Sequence, residues 1–232
     1  IRWCIVKLFL FRLLRLMVGY FIYATGMVFC IQGNLGYSPW DILNNGFSHI
    51  FGCSFGTSSI TIAFILILVL LLFKQKIGIG TIGNMIFLGL FCDFLLESGW
   101  IPLMHTWYMG ILFIIIGAAI LAFATYLYVG AGFYAGPRDG IMLLFTEKSG
   151  WPVGLCRILI DITTAGVGYL MGGFLGIGSV VNVLVMGPMI QLMFRIFHFD
   201  SKAVQHESVA DTYRFLRDAM RAKRAAHPID KD

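Results

Sequence analysis

Six apolar runs dominate this chain, at about 9–31, 57–73, 81–97, 106–130, 153–171 and 179–198. A helix that crosses the hydrocarbon core of a bilayer needs about 20 mostly apolar residues, and each run approaches that length. Composition closes off the alternative. The chain is 59% hydrophobic and 12% charged, and its mean hydropathy is +0.85. A soluble domain carries about 25% charged residues, and a water-facing surface needs roughly 25–35%. The same numbers exclude a disordered chain and a disulfide scaffold. The expected fold is all-α: a polytopic membrane protein of about six spanning helices.

The net charge of +5 does not point to nucleic acid, because the basic residues gather at the chain ends. Arg2, Lys7, Arg12 and Arg15 precede or enter the first run, and Arg195 to Arg224 follow the last. Lys74, Lys76, Arg138 and Lys148 then fall on the same side if the spans number six. That pattern predicts cytoplasmic N- and C-termini. Leu8–Ile31 exceeds the roughly 7–15 residues of a signal-peptide core and reads as a retained span. The five cysteines form no C-x-x-C pair and read as small packing residues.

Two further segments are too short and too polar to span: Pro39 to Phe51 and Pro137 to Ser149. Each opens with proline, which suits a first helical turn, and each has an aspartate two residues on. Ser38 is the expected N-cap of the first. These read as half-helices. They also expose a duplication, because the chain overlays itself without a gap at an offset of 98 residues. Pro39 meets Pro137, Asp41 meets Asp139, Gly56 meets Gly154, Asn84 meets Asn182 and Gly89 meets Gly187. Apolar matches would be cheap in such a chain; paired Pro, Asp, Asn and Gly are not. The expected organisation is repeat one at 1–104, repeat two at 105–199 and a basic amphipathic cytoplasmic tail at 200–232. Three spans per repeat is odd, so the second copy enters the membrane from the opposite side. Transporters built from such inverted repeats hold their sites near the midplane, where broken helices meet.

Ionisable side chains inside a span cost roughly 2.5–3.5 kcal/mol each on insertion scales, so they form a short list of candidates. Trp40, Asp41, Arg138 and Asp139, in the first turns of the half-helices, are the candidate substrate-binding set. A capping role serves the two aspartates equally well. Arg138 opposes the helix dipole, and Asp139 or a bound anion would compensate it. Arg157 and Asp161 lie four apart in the fifth span and form an ion pair or a coupling element. Asn84, Asn182, Pro39 and Pro137 are read as structural polar and turn residues. Asp93 and Glu97 fall near the outer end of the third span and read as interfacial. No metal cluster, nucleophile–base pair or phosphate loop is present, so no enzyme activity and no cofactor are expected.

The segments NLGYSPWDIL at Asn34–Leu43, GIGT-x-x-N at Gly78–Asn84 and GPRDGIM at Gly136–Met142 resemble the signatures of the YczE-like bacterial membrane proteins of the YyaS/YitT group. The resemblance runs over about residues 17–198 and implies an integral protein of the bacterial cell membrane with about six spans. It implies no substrate. The expectation for function is a small-solute transporter whose site lies between the repeats; a non-transporting scaffold for a biosynthetic or regulatory complex is the alternative. Membrane lipids, an unidentified small solute and a second copy of the chain are the expected partners.

Overall fold

The computed structural model describes residues 2–133 and 136–199; the tail at 200–232 lies outside the described residues. Eight helices account for them: α1 (Arg2–Gln32), α2 (Pro39–Phe51), α3 (Phe55–Leu72), α4 (Ile79–Ser98), α5 (Trp107–Val129), α6 (Pro137–Ser149), α7 (Val153–Leu170) and α8 (Ile177–Ile196). No strand occurs among the described residues. The protein is a multi-pass helical membrane protein. Five of its helices are long and apolar enough to cross a bilayer, namely α1 from Phe9, α3, α4, α5 and α8. The remaining expected span, α7, is not among them and carries Arg157 and Asp161 in 18 residues.

The outer surface is apolar where a soluble protein would be polar. Leu72, Leu170 and Ile177 are each more than three-quarters exposed. Such a continuous apolar belt is tolerable only against lipid.

The helix bounds carry the sequence offset into three dimensions. α2 and α6 have 13 residues each, α3 and α7 have 18, α4 and α8 have 20, and every start differs by 98. Proline opens both short helices, and glycine in the left-handed region closes both, Gly52 at φ 62° and Gly150 at φ 69°. Contacts between the halves are reciprocal. The Gly80 amide donates to the Phe133 carbonyl at 3.0 Å, and the Gly178 amide donates to the Leu35 carbonyl at 2.7 Å. These two bonds exchange donor and acceptor halves at the same offset, as a two-fold relation requires.

At the centre α1 crosses α5 with backbones in contact. A Cβ on Gly26 would meet the Gly117 carbonyl oxygen at 2.9 Å, and one on Gly33 would meet the Gly110 carbonyl oxygen at 2.9 Å. Small residues at such crossings drive helix association in lipid, where no hydrophobic force acts between helices. α4 then packs on α1 and α8 on α5, while α2 packs on α7 and α6 on α3. Each half-helix therefore rests mainly on a span of the other half.

One pair of equivalent seams differs. α3 packs tightly along α4, whereas α7 makes no such interface with α8. Between α7 and α8 runs an apolar groove of about 280 Å³. The α3 N-terminus is fixed by Ser54, whose hydroxyl accepts from the Thr57 amide at 3.1 Å. Ser54→Ala is expected to cost about 1 kcal/mol by equilibrium unfolding in detergent, the usual value of such a cap.

Candidate functional site

The first turns of α2 and α6 meet inside the bundle, so residues from both halves share one space. Asp41 is 3% exposed. Its Oδ1 lies 3.7 Å from a guanidinium nitrogen of Arg138, the second residue of α6. The same guanidinium sits 5.4 Å from the centroid of the Trp40 ring. Arg138 is thus held from two directions by the opposite half: a carboxylate pairs with it and an aromatic face attracts it. The expected partner, neighbouring Asp139, is replaced by Asp41 because the first turns of the two proline-led helices lie side by side.

Ser38 does not cap α2 with its side chain. Its hydroxyl donates to Asp41 Oδ2 at 2.6 Å instead. Asp41 consequently keeps one oxygen on Ser38 and turns the other toward Arg138. Ser38 thus holds the N-cap position expected of it, but its hydroxyl serves the Asp41 carboxylate rather than a first-turn amide.

Asp139 accepts from the Tyr128 hydroxyl at 3.4 Å, and Arg157 and Arg138 both act on it electrostatically. Asp161 lies 3.8 Å from Arg157, one turn back along α7, and Trp40 and Arg138 act on it electrostatically. The six candidate binding and coupling residues, Trp40, Asp41, Arg138, Asp139, Arg157 and Asp161, therefore share one electrostatic neighbourhood drawn from α2, α6 and α7.

Three tyrosines wall the cluster from α1 and α5. Tyr23 packs edge-on to Tyr128 with centroids 5.9 Å apart and feels the charges of Arg138, Asp139, Asp41 and Arg157. Tyr20 is 1% exposed, and its hydroxyl donates to the Gly80 carbonyl at 2.5 Å. Tyr20→Phe is expected to cost about 1 kcal/mol in an unfolding titration, the net worth of one such bond. These aromatic groups carried no motif; only their position one and two turns from the crossing glycines of α1 could have flagged them.

The structural polar residues sit beside the cluster. The Asn84 amide packs on Gly136, the residue that precedes α6; a Cβ there would lie 3.1 Å from Asn84 Oδ1. Asn182 is 5% exposed and lies beside the Cys30 thiol. Pro39 and Pro137 open the two short helices. Asn44, one turn after Asp41, is fully buried, and its side-chain amide finds no hydrogen-bond partner among the described residues. It had not been singled out, because an asparagine in the half-helix with no match at the 98-residue offset carries no spacing signal.

Asp93 is not merely interfacial. Its carboxylate accepts from the Gly56 amide at 2.6 Å and from the Ser54 hydroxyl at 2.5 Å. It ties α4 to the N-terminus of α3. Its equivalent in the second half is Gln191, and that of Ser54 is Pro152. No group of three or more His, Cys, Asp or Glu able to hold a metal occurs among the described residues.

Residues 10–195 match the profile of a family described as a family of unknown function, DUF6198. The chain is 33% identical over 171 residues to the uncharacterized membrane protein YczE of Bacillus subtilis (strain 168), covering 73% of this chain and 79% of that protein. It is 28% identical over 166 residues to an uncharacterized protein of Haemophilus influenzae, covering 72% and 75%. It is 26% identical over 196 residues to the uncharacterized protein YyaS of Bacillus subtilis, covering 80% and 94%. No solved structure matches the chain.

Proposed function

Since this chain belongs to DUF6198, a family without an assigned activity, its function has to be read from the site, and we propose a transporter of small polar solutes. The observation that carries this reading is the charged cluster around the buried Asp41. Three carboxylates and two guanidiniums, from sequence positions 41 to 161, gather around the N-termini of the two half-helices, from Asp41 in the interior to Arg157 at the exposed side of α7. Charge in that position is expensive and marks a solute or ion path.

The two halves are read as an inverted repeat, threading a bacterial cytoplasmic membrane in opposite senses with both chain ends in the cytoplasm. Equal helix lengths at one offset and the reciprocal Gly80–Phe133 and Gly178–Leu35 bonds support this. Trp40, Asp41, Arg138 and Asp139 bind the solute; Arg157 and Asp161 hold Trp40 and Asp139 in register.

Charge balance narrows the solute. Asp41, Asp139 and Asp161 against Arg138 and Arg157 leave one net negative charge when all are ionised. Each half-helix N-terminus supplies about half a positive charge, which offsets it. A solute without net charge, such as a zwitterion or a polar neutral molecule, therefore enters at the lowest electrostatic cost. The test is purified protein in liposomes loaded with a panel of zwitterionic, neutral, cationic and anionic solutes. Saturable flux of a zwitterionic or neutral solute, lost in Asp41→Asn, is expected. Absence of flux across the panel, or flux unaffected by Asp41→Asn and Asp139→Asn, would remove the reading.

A further inference from the structure

The equivalent seams α3–α4 and α7–α8 use the same glycines in different ways. A Cβ on Gly56 would collide with the Gly89 carbonyl oxygen and with the Asp93 carboxyl. One on Gly89 would meet Ile60 at 2.5 Å and the Gly56 carbonyl oxygen at 2.7 Å. These glycines are required for the closed seam. At the equivalent positions, Gly154 and Gly187, an added Cβ meets nothing within 4 Å. The duplicated chain thus carries a second seam-forming pair that this conformation leaves unused, beside a groove lined by Ile158 and Ile162 of α7 and Val180 and Val183 of α8. Asp161 lines the same groove, so the opening reaches the charged cluster.

We propose that the protein exchanges this conformation for a second one, in which α7 closes on α8 through Gly154 and Gly187 while α3 parts from α4. The proposal deepens the transport reading, because the exchange would switch which seam gives access to the cluster, and it rests on that reading for its purpose. Two features set the direction. The α3–α4 seam is latched by the Asp93 carboxylate on Ser54 and Gly56. The neutral Gln191 and the hydroxyl-free Pro152 give α7–α8 a weaker latch, so the present state is the favoured one. In addition, α8 contains Pro188 directly after Gly187, where α4 has Leu90. Proline removes a helical hydrogen bond and lets the helix bend at that point.

Distances between spin labels on the full chain in lipid nanodiscs, with the native cysteines replaced, test this. Equivalent label pairs are Thr61 with Phe94 on α3 and α4, and Leu159 with Leu192 on α7 and α8. In the parent protein the α7–α8 pair should show a main longer and a minor shorter distance. Asp93→Asn, or the milder Ser54→Ala, should raise the shorter α7–α8 population several-fold and give the α3–α4 pair a longer component of similar size. Gly187→Leu should fold normally, since its side chain has room, and should abolish the shorter α7–α8 population. A single unchanged distance for both pairs in all these proteins would overturn the proposal, as would opening of one seam without closure of the other. Exchange without flux of any solute would uphold the two states and remove the transport reading alone.

Discussion

Arg138→Ala is expected to destabilise the protein by about 3–5 kcal/mol, the cost of removing one partner from a buried ion pair. The reason is what it leaves behind. Asp41 is almost wholly shielded, its Oδ1 makes no hydrogen bond, and the Arg138 guanidinium is its charge partner at 3.7 Å. Without that guanidinium the carboxylate is stranded among apolar helices, with only Ser38 to bond it. The Trp40 face loses its cation as well. The double variant Arg138→Gln with Asp41→Asn removes both charges and should recover most of the loss, because the desolvation penalty disappears with the pair. Equilibrium unfolding in detergent of Arg138→Gln, Asp41→Asn and the double variant measures the coupling. Additive effects would mean that Asp41 and Arg138 do not interact.

The second large effect lies at the α2–α7 contact. A Cβ on Gly168 would strike the Leu43 amide nitrogen and the Ile42 carbonyl carbon, and Gly46 and Gly173 are confined in the same way by the facing backbone. Overpacking a core typically costs about 1–3 kcal/mol, and here the obstacle is main chain rather than a side chain that can rotate away. Gly168→Leu should therefore sit at or above that range, and it should lift α2 off α7 and pull Trp40 from Asp161. Gly154→Leu and Gly166→Leu are the internal controls. Neither glycine has a neighbour within 4 Å of an added Cβ, so both variants should unfold within about 0.5–1 kcal/mol of the parent protein. Equal loss in all three would contradict the packing described.

Much of this architecture is legible before any coordinates. Length and apolarity give the spans, and proline–aspartate openings give the short helices; the observed α2 and α6 begin and end at the predicted residues. The offset of 98 aligns side chains of every kind, so it also predicts which helices are equivalent. The candidate residues converge because intramembrane charge has to find a partner, and the charges in this chain's interior are few. What is illegible is pairing across the halves. Nothing in the spacing of Arg138 distinguishes its neighbour Asp139 from Asp41, 97 residues away. Ser38 looks like any N-cap until the carboxylate it faces is known. Asp93 resembles an interfacial acid because its partners, Ser54 and Gly56, lie on another helix. The unequal seams are hidden for a different reason. Gly56 and Gly154 hold the same position in the two repeats, so sequence symmetry conceals a conformational asymmetry.

The account rests on two halves that enter the bilayer from opposite faces and share one buried charged site. Single cysteines at the equivalent positions Phe51 and Ser149, both exposed at the C-terminal ends of the half-helices, examine this directly when intact cells are treated with a membrane-impermeant thiol reagent. The account predicts that Phe51→Cys is modified in intact cells and Ser149→Cys only after the membrane is permeabilised. Modification of both from the same side would contradict it.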